Sequence, residues 1–181
     1  MEMKHQHGRI LVAVILTAVL TVLPSTFASA QAGSAVKVDA RTDALIRQSL
    51  RYLAEAQAPN GSWPGRTDKE RQYPIALTSY ALMAFMAAGP VPGEGEFGRH
   101  VSLGMNHLLA SIAPDGIIGD RKSGHYMYWH GIATIALSEL YGQSDSAAIR
   151  PKLERLVKII IAGQNEEGGW RYRPTSTDAD I

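Results

Sequence analysis

Two kinds of apolar segment alternate along the chain. In the first kind only one side is apolar. Leu153, Leu156, Val157, Ile160 and Ile161 fall at i, i+3, i+4, i+7 and i+8, a one-sided helical stripe. Ile46, Leu50, Leu53 and Gln57 draw the same stripe earlier, with Arg47, Arg51 and Glu55 on the wet side. The second kind is apolar nearly all round, as in Ile75, Ala76, Leu77, Tyr80, Leu82, Met83, Phe85 and Met86. A helix without a polar face is expected to be buried on all sides. Pro151 sits where a helix begins, and Gly89 and Gly142 stand where helices should end. The pattern predicts one-sided helices over 43–57 and 150–163 and buried helices over 74–88 and 127–141. No useful length alternates with period two, so strands are not expected.

Both kinds of segment return at an interval near 53 residues. Gln57-Ala-Pro-Asn60-Gly61-Ser-Trp63 follows the first one-sided helix, and Gln164-Asn-Glu-Glu-Gly168-Gly-Trp170 follows another 107 residues later. Between them, Ile112-Ala-Pro114-Asp115-Gly116-Ile-Ile118 aligns with the first at an offset of 55 and with the third at 52. Tyr73 to Gly89 lies over Tyr126 to Gly142 at an offset of 53. One αα-hairpin per repeat, amphipathic helices outside and apolar helices inside, is the expected architecture. The chain stops at Asp180-Ile181, where a sixth helix is expected, and so reads as two and a half repeats of a larger domain.

Within each joint the residue types have a physical logic. Glycine takes the positive φ that ends a helix without a Cβ penalty. Glutamine offers two donors and an acceptor to main-chain groups left unpaired at helix ends. The tryptophan ring shields those bonds from water. Gln57, Gly61, Trp63, Gly116, Gln164, Gly168 and Trp170 are therefore read as structural joints, with isoleucines replacing glutamine and tryptophan in the middle copy.

The first thirty residues differ from the rest. Lys4 and Arg9 precede an uncharged run from Ile10 to Leu23, Pro24 breaks it, and Ala28-Ser29-Ala30 offers a small-x-small cleavage site. Fourteen apolar residues are short of the ~20 needed to span a bilayer. Residues 1–30 are expected to be a cleaved secretory signal, 31–40 a flexible leader and 41–181 the repeat domain. Membrane contact is then expected only through the signal segment, and the mature chain works in the periplasm, cell envelope or outside the cell.

Composition narrows the chemistry. The chain is 45% hydrophobic and 19% charged, which opposes disorder. The net charge is +1 with no basic block, so nucleic acid is not an expected partner. With no cysteine there is no disulfide scaffold, cysteine-ligated zinc, cysteine nucleophile or thioester.

Gln57-x-x-x-Gly61-x-Trp63 and Gln164-x-x-x-Gly168-x-Trp170 resemble the QW repeat of the squalene–hopene cyclase and prenyltransferase superfamily. Leu50-Arg51-Tyr52-Leu53 ahead of Gln57 fits that pattern. The resemblance covers about residues 41–181. It implies an all-α fold, an α/α toroid here forming an incomplete ring, whose inner helices enclose an apolar cavity. The superfamily's cyclases use an Asp-x-Asp-Asp acid, and Asp178-Ala179-Asp180-Ile181 matches its first two aspartates with Ile181 in place of the third. Such aspartates are also ordinary at helix starts. The zinc set of the protein prenyltransferases and the thioester of complement-like toroids both need the cysteine this chain lacks.

Tyr80, His125, Tyr128, Trp129 and His130 are the candidates for lining a cavity, because starts of inner helices face the mouth of such a barrel. His125 and His130 are five apart and do not match a helical zinc site, so neither metal nor cofactor is expected, and a lone helical histidine is more often a packing residue than a ligand group. Three functions follow as expectations. The first is an exported repeat protein that binds an apolar ligand or a protein partner without assignable catalysis. The second is a terpenoid cyclase-like isoprenoid enzyme with Asp178 and Asp180 as its acid. The third is a secreted polysaccharide-active α/α barrel, since Gly61-Ser62-Trp63-Pro64 is loosely similar to a Gly-Gly-Trp-Pro of toroidal pectate lyases.

Overall fold

The computed structural model describes residues 38–144 and 146–173. These are all-helical: α1 (Ala40–Ala56), a 3-10 turn (Glu70–Gln72), α2 (Pro74–Ala87), α3 (Gly98–Ala110), α4 (Tyr126–Gln143) and α5 (Ile149–Ala162). The only β-type pairing among the described residues is an isolated antiparallel bridge between Ile112 and Ile118. The expected signal segment and the Asp178/Asp180 pair lie outside the described residues.

Asp39 falls within the expected leader, yet it starts α1. Its Oδ1 accepts the main-chain N–H groups of Arg41 and Thr42 at 2.9 Å each, and Oδ2 accepts the Thr42 hydroxyl. Two donors with no helical partner are thereby satisfied. Pro74 opens α2, where a missing N–H costs nothing. Gly89 follows the end of α2 at φ 101°, but Gly142 lies inside α4, which runs one residue past it.

The two apolar-all-round helices, α2 and α4, make the most extensive helix contact. Helix α3 packs on both, α1 on α2, and α5 on α4. Leu82, Phe85, Leu108, Leu137, Leu140 and Leu156 are without exposure at the centre, and the Phe85 ring lies 5.4 Å from Phe97 and 6.0 Å from Trp63. Helix α1 buries Leu50 alone and α5 buries Ile149 and Leu156. Of the expected stripes Leu53, Leu153 and Ile160 are half-buried, whereas Ile46, Val157 and Ile161 are exposed, because each helix packs chiefly on one neighbour.

The expectation of burial on all sides fails for α2 and α4. Tyr80, Ala84 and Ala87, at i, i+4 and i+7, stay exposed on α2, as do Tyr128 and Ile135 on α4. Three neighbouring helices, α1, α3 and α5, are too few to surround two helices. Among the described residues no further helix covers the remaining stripe of either, although Tyr128 meets the Tyr172 ring at 5.2 Å.

Candidate functional site

Three turns follow α1, α3 and α5, and they share one hydrogen-bond pattern. Ala58 N–H donates to Ser62 O (2.9 Å), Ala113 to Ile117 O (2.8 Å) and Asn165 to Gly169 O (2.9 Å). Inside each turn a glycine N–H donates back three residues: Gly61 to Ala58, Gly116 to Ala113 and Gly168 to Asn165. The three glycines have φ of 86°, 90° and 83°, the left-handed region that favours glycine. A Cβ at Gly61 would also stand 2.2 Å from Leu103 O of α3, so the turn can approach that helix only without a side chain.

The tryptophans take the role the sequence assigns to glutamine. Trp63 Nε1–H donates to Leu53 O and Trp170 Nε1–H to Ile160 O, both at 2.7 Å and both ten residues back. Those carbonyls belong to the last four residues of α1 and α5, where the regular helical donor is missing; Ile160 O also accepts the Gly163 N–H at 3.2 Å. The glutamines instead span the turn, Gln57 Nε2 donating to Gly61 O and Gln164 Nε2 to Gly168 O. Gln57 also reaches the next hairpin, donating to His100 O (2.9 Å) while its Oε1 accepts a hydrogen bond from His100 Nδ1–H (2.7 Å). His100 is thus a joint residue the sequence did not reveal, because only the register of α3 brings it to Gln57.

The first and third joints differ in cover. Trp63 is 5% exposed and Trp170 is 49% exposed. Trp63 is packed by Phe85 and by Gly104, where an added Cβ would stand 2.9 Å from its ring. Nothing comparable lies over Trp170 among the described residues. In the middle joint Ile112 and Ile118 bridge across the turn, and Lys152 Nζ donates to Leu109 O from α5. Asp115 there pairs with Arg121.

Of the five cavity candidates, two are joint or core residues. His130 has no exposure; its Nδ1 accepts the Ile118 N–H (3.4 Å) and its Nε2 lies 3.1 Å from Leu156 O. These contacts fit the neutral Nε2–H form, and burial lowers its pKa against the opposing effect of the Leu156 carbonyl. In the first hairpin Thr78 Oγ1 does the same work, accepting the Trp63 N–H at 3.0 Å. Trp129 is 8% exposed, with its ring 5.2 Å from Tyr73 and pressed on Gly119. Both point into packing because the α4 stripe that carries them faces α2 and α5.

Tyr80, Tyr128 and His125 remain at the surface. His125 and Tyr128 meet the Tyr172 ring at 4.6 and 5.2 Å, and Tyr172 O accepts the Met127 N–H at the start of α4. The hydrogen bond to Tyr172 raises the Tyr128 pKa. Two clefts open beside these residues. One, of about 240 Å³, is lined by Tyr128, Gly131, Ile160, Trp170 and Arg171. The other, of about 390 Å³, lies between the end of α1 and the exposed stripe of α2, with Leu53, Trp63, Leu77, Tyr80 and Ala84 in its wall.

Among the described residues no three metal-ligating side chains gather, and no helix is long and apolar enough to cross a membrane. No known protein family, curated protein or solved structure matches the chain.

Proposed function

We propose that the chain is an exported αα-repeat protein of the QW-repeat toroid kind, acting as a binding domain for an apolar ligand or partner rather than as a catalyst. One observation carries this reading. The two helices that form the centre of the packing each leave a stripe exposed, and those stripes are built from Tyr80, Ala84 and Ala87 and from Tyr128 and Ile135. Soluble domains bury such residues unless the surface has a use. The shared geometry of the three turns supports the repeat, and the Ile10–Leu23 run with Ala28-Ser29-Ala30 supports export. The terpenoid cyclase-like reading rests on the QW-repeat resemblance and on an incomplete acid motif at Asp178 and Asp180.

The test is fluorescence titration of the purified chain with Nile red, a neutral apolar probe. Saturable binding is expected, weakened by Tyr80→Ser and Ile135→Ser and unchanged by Val157→Ser on α5. Binding indifferent to the first two substitutions contradicts the reading. Intact mass of the same preparation is expected to give a chain beginning near Gln31.

A further inference from the structure

The cleft beside Trp63 has a charged rim as well as an apolar wall, and the state of each rim charge selects a ligand. Leu53, Trp63, Leu77, Tyr80 and Ala84 make the wall, while Arg66 and Glu70 stand at the edge of the same cleft of about 390 Å³. Glu70 is already engaged, its Oε2 accepting the main-chain N–H groups of Arg66 (2.7 Å) and Thr67 (3.0 Å). Asp68 and Arg71 pair with each other at 2.6 Å. The Arg66 guanidinium makes no direct ion pair or hydrogen bond among the described residues; it lies 5.2 Å over the Tyr52 ring, and its charge helps hold the Glu70 carboxyl on the same rim ionised. A guanidinium held on an aromatic face keeps its donor edge free for an anion.

We propose that this cleft binds an amphiphile with one apolar chain and a single anionic head, the chain along Trp63, Leu77, Tyr80 and Ala84 and the head on Arg66. The proposal rests on the reading of the domain as a binding module and adds the ligand class. Apolar burial along the wall supplies most of the affinity, and the charge supplies selectivity.

The test compares three C12 probes below their micellar concentrations on the purified chain by calorimetry: laurate, dodecanol and dodecyltrimethylammonium. Laurate is expected to bind most tightly. Arg66→Gln should weaken laurate about fivefold, as loss of an exposed charge does, and leave dodecanol unchanged. Arg66→Lys should keep most of the laurate affinity, and Ala84→Trp should block all three probes. Circular dichroism checks that each variant is folded. Laurate binding no tighter than dodecanol, or untouched by Arg66→Gln, overturns the anionic head. If Nile red still binds in that case, the binding-domain reading survives; if no probe binds, both fall. Conversion of a dimer to a monomer by Ala84→Trp means that a second copy occupies the cleft, and it overturns the proposal too.

Discussion

His130 shows how one side chain can join three segments. It sits on α4, accepts from Ile118 in the turn after α3 and contacts Leu156 O on α5. Its folded-state pKa is lowered from the ordinary 6.5 because burial disfavours the cation. The unfolded chain therefore binds more protons than the native one between the folded pKa and 6.5. Stability is fully present above that range and is lost as pH falls through it. Burial also lowers the His107 pKa, which acts in the same direction. Urea midpoints measured from pH 7.5 to pH 5 should fall, and His130→Thr, which places in α4 the residue type found at Thr78, should reduce the slope. A wild-type midpoint independent of pH contradicts this role. The sequence alone left His130 between packing and cavity lining, since it shows that a histidine lies near a helix start but not which way the helix is turned. His100 was invisible for the same reason.

At the level of elements, the helices and their joints were legible. Stripe periodicity located each predicted helix to within two or three residues, and the glycines marked three turns that share their hydrogen bonds. What sequence could not supply was the environment of each face. Two tryptophans with the same donor bond, Trp63 and Trp170, differ tenfold in exposure because one is covered by α2 and α3 and the other is not. Trp63→Ala is therefore expected to cost about 3–5 kcal/mol, as large truncations in packed sites do. Trp170→Ala should cost about 1 kcal/mol, close to the value of its hydrogen bond. Chemical denaturation of both variants checks the difference, and equal losses contradict the packing described. The lack of a polar face likewise announces an apolar surface on every side of α2 and α4, but only neighbours bury it.

For the whole molecule, apolar surface remains at several places. Leu45 and Ile46 on α1, Val157 and Ile161 on α5, and the stripes of α2 and α4 are all exposed. Scattered single apolar residues need no explanation, whereas an aligned stripe on two central helices does. The proposed binding role rests on that distinction: α2 and α4 turn one side to the core and leave the other open. The absence of native cysteine allows single thiols to report on each side. Ala84→Cys and Ile135→Cys probe the open stripes, and Ala81→Cys and Ala136→Cys probe the core side of the same helices. Thiol-labelling rates with and without saturating Nile red measure both claims at once. The expected result is fast labelling at 84 and 135, slowed by the probe, with labelling at 81 and 136 slow throughout. Fast labelling at 81 and 136 with slow labelling at 84 and 135, or open sites that the bound probe does not protect, would contradict the account.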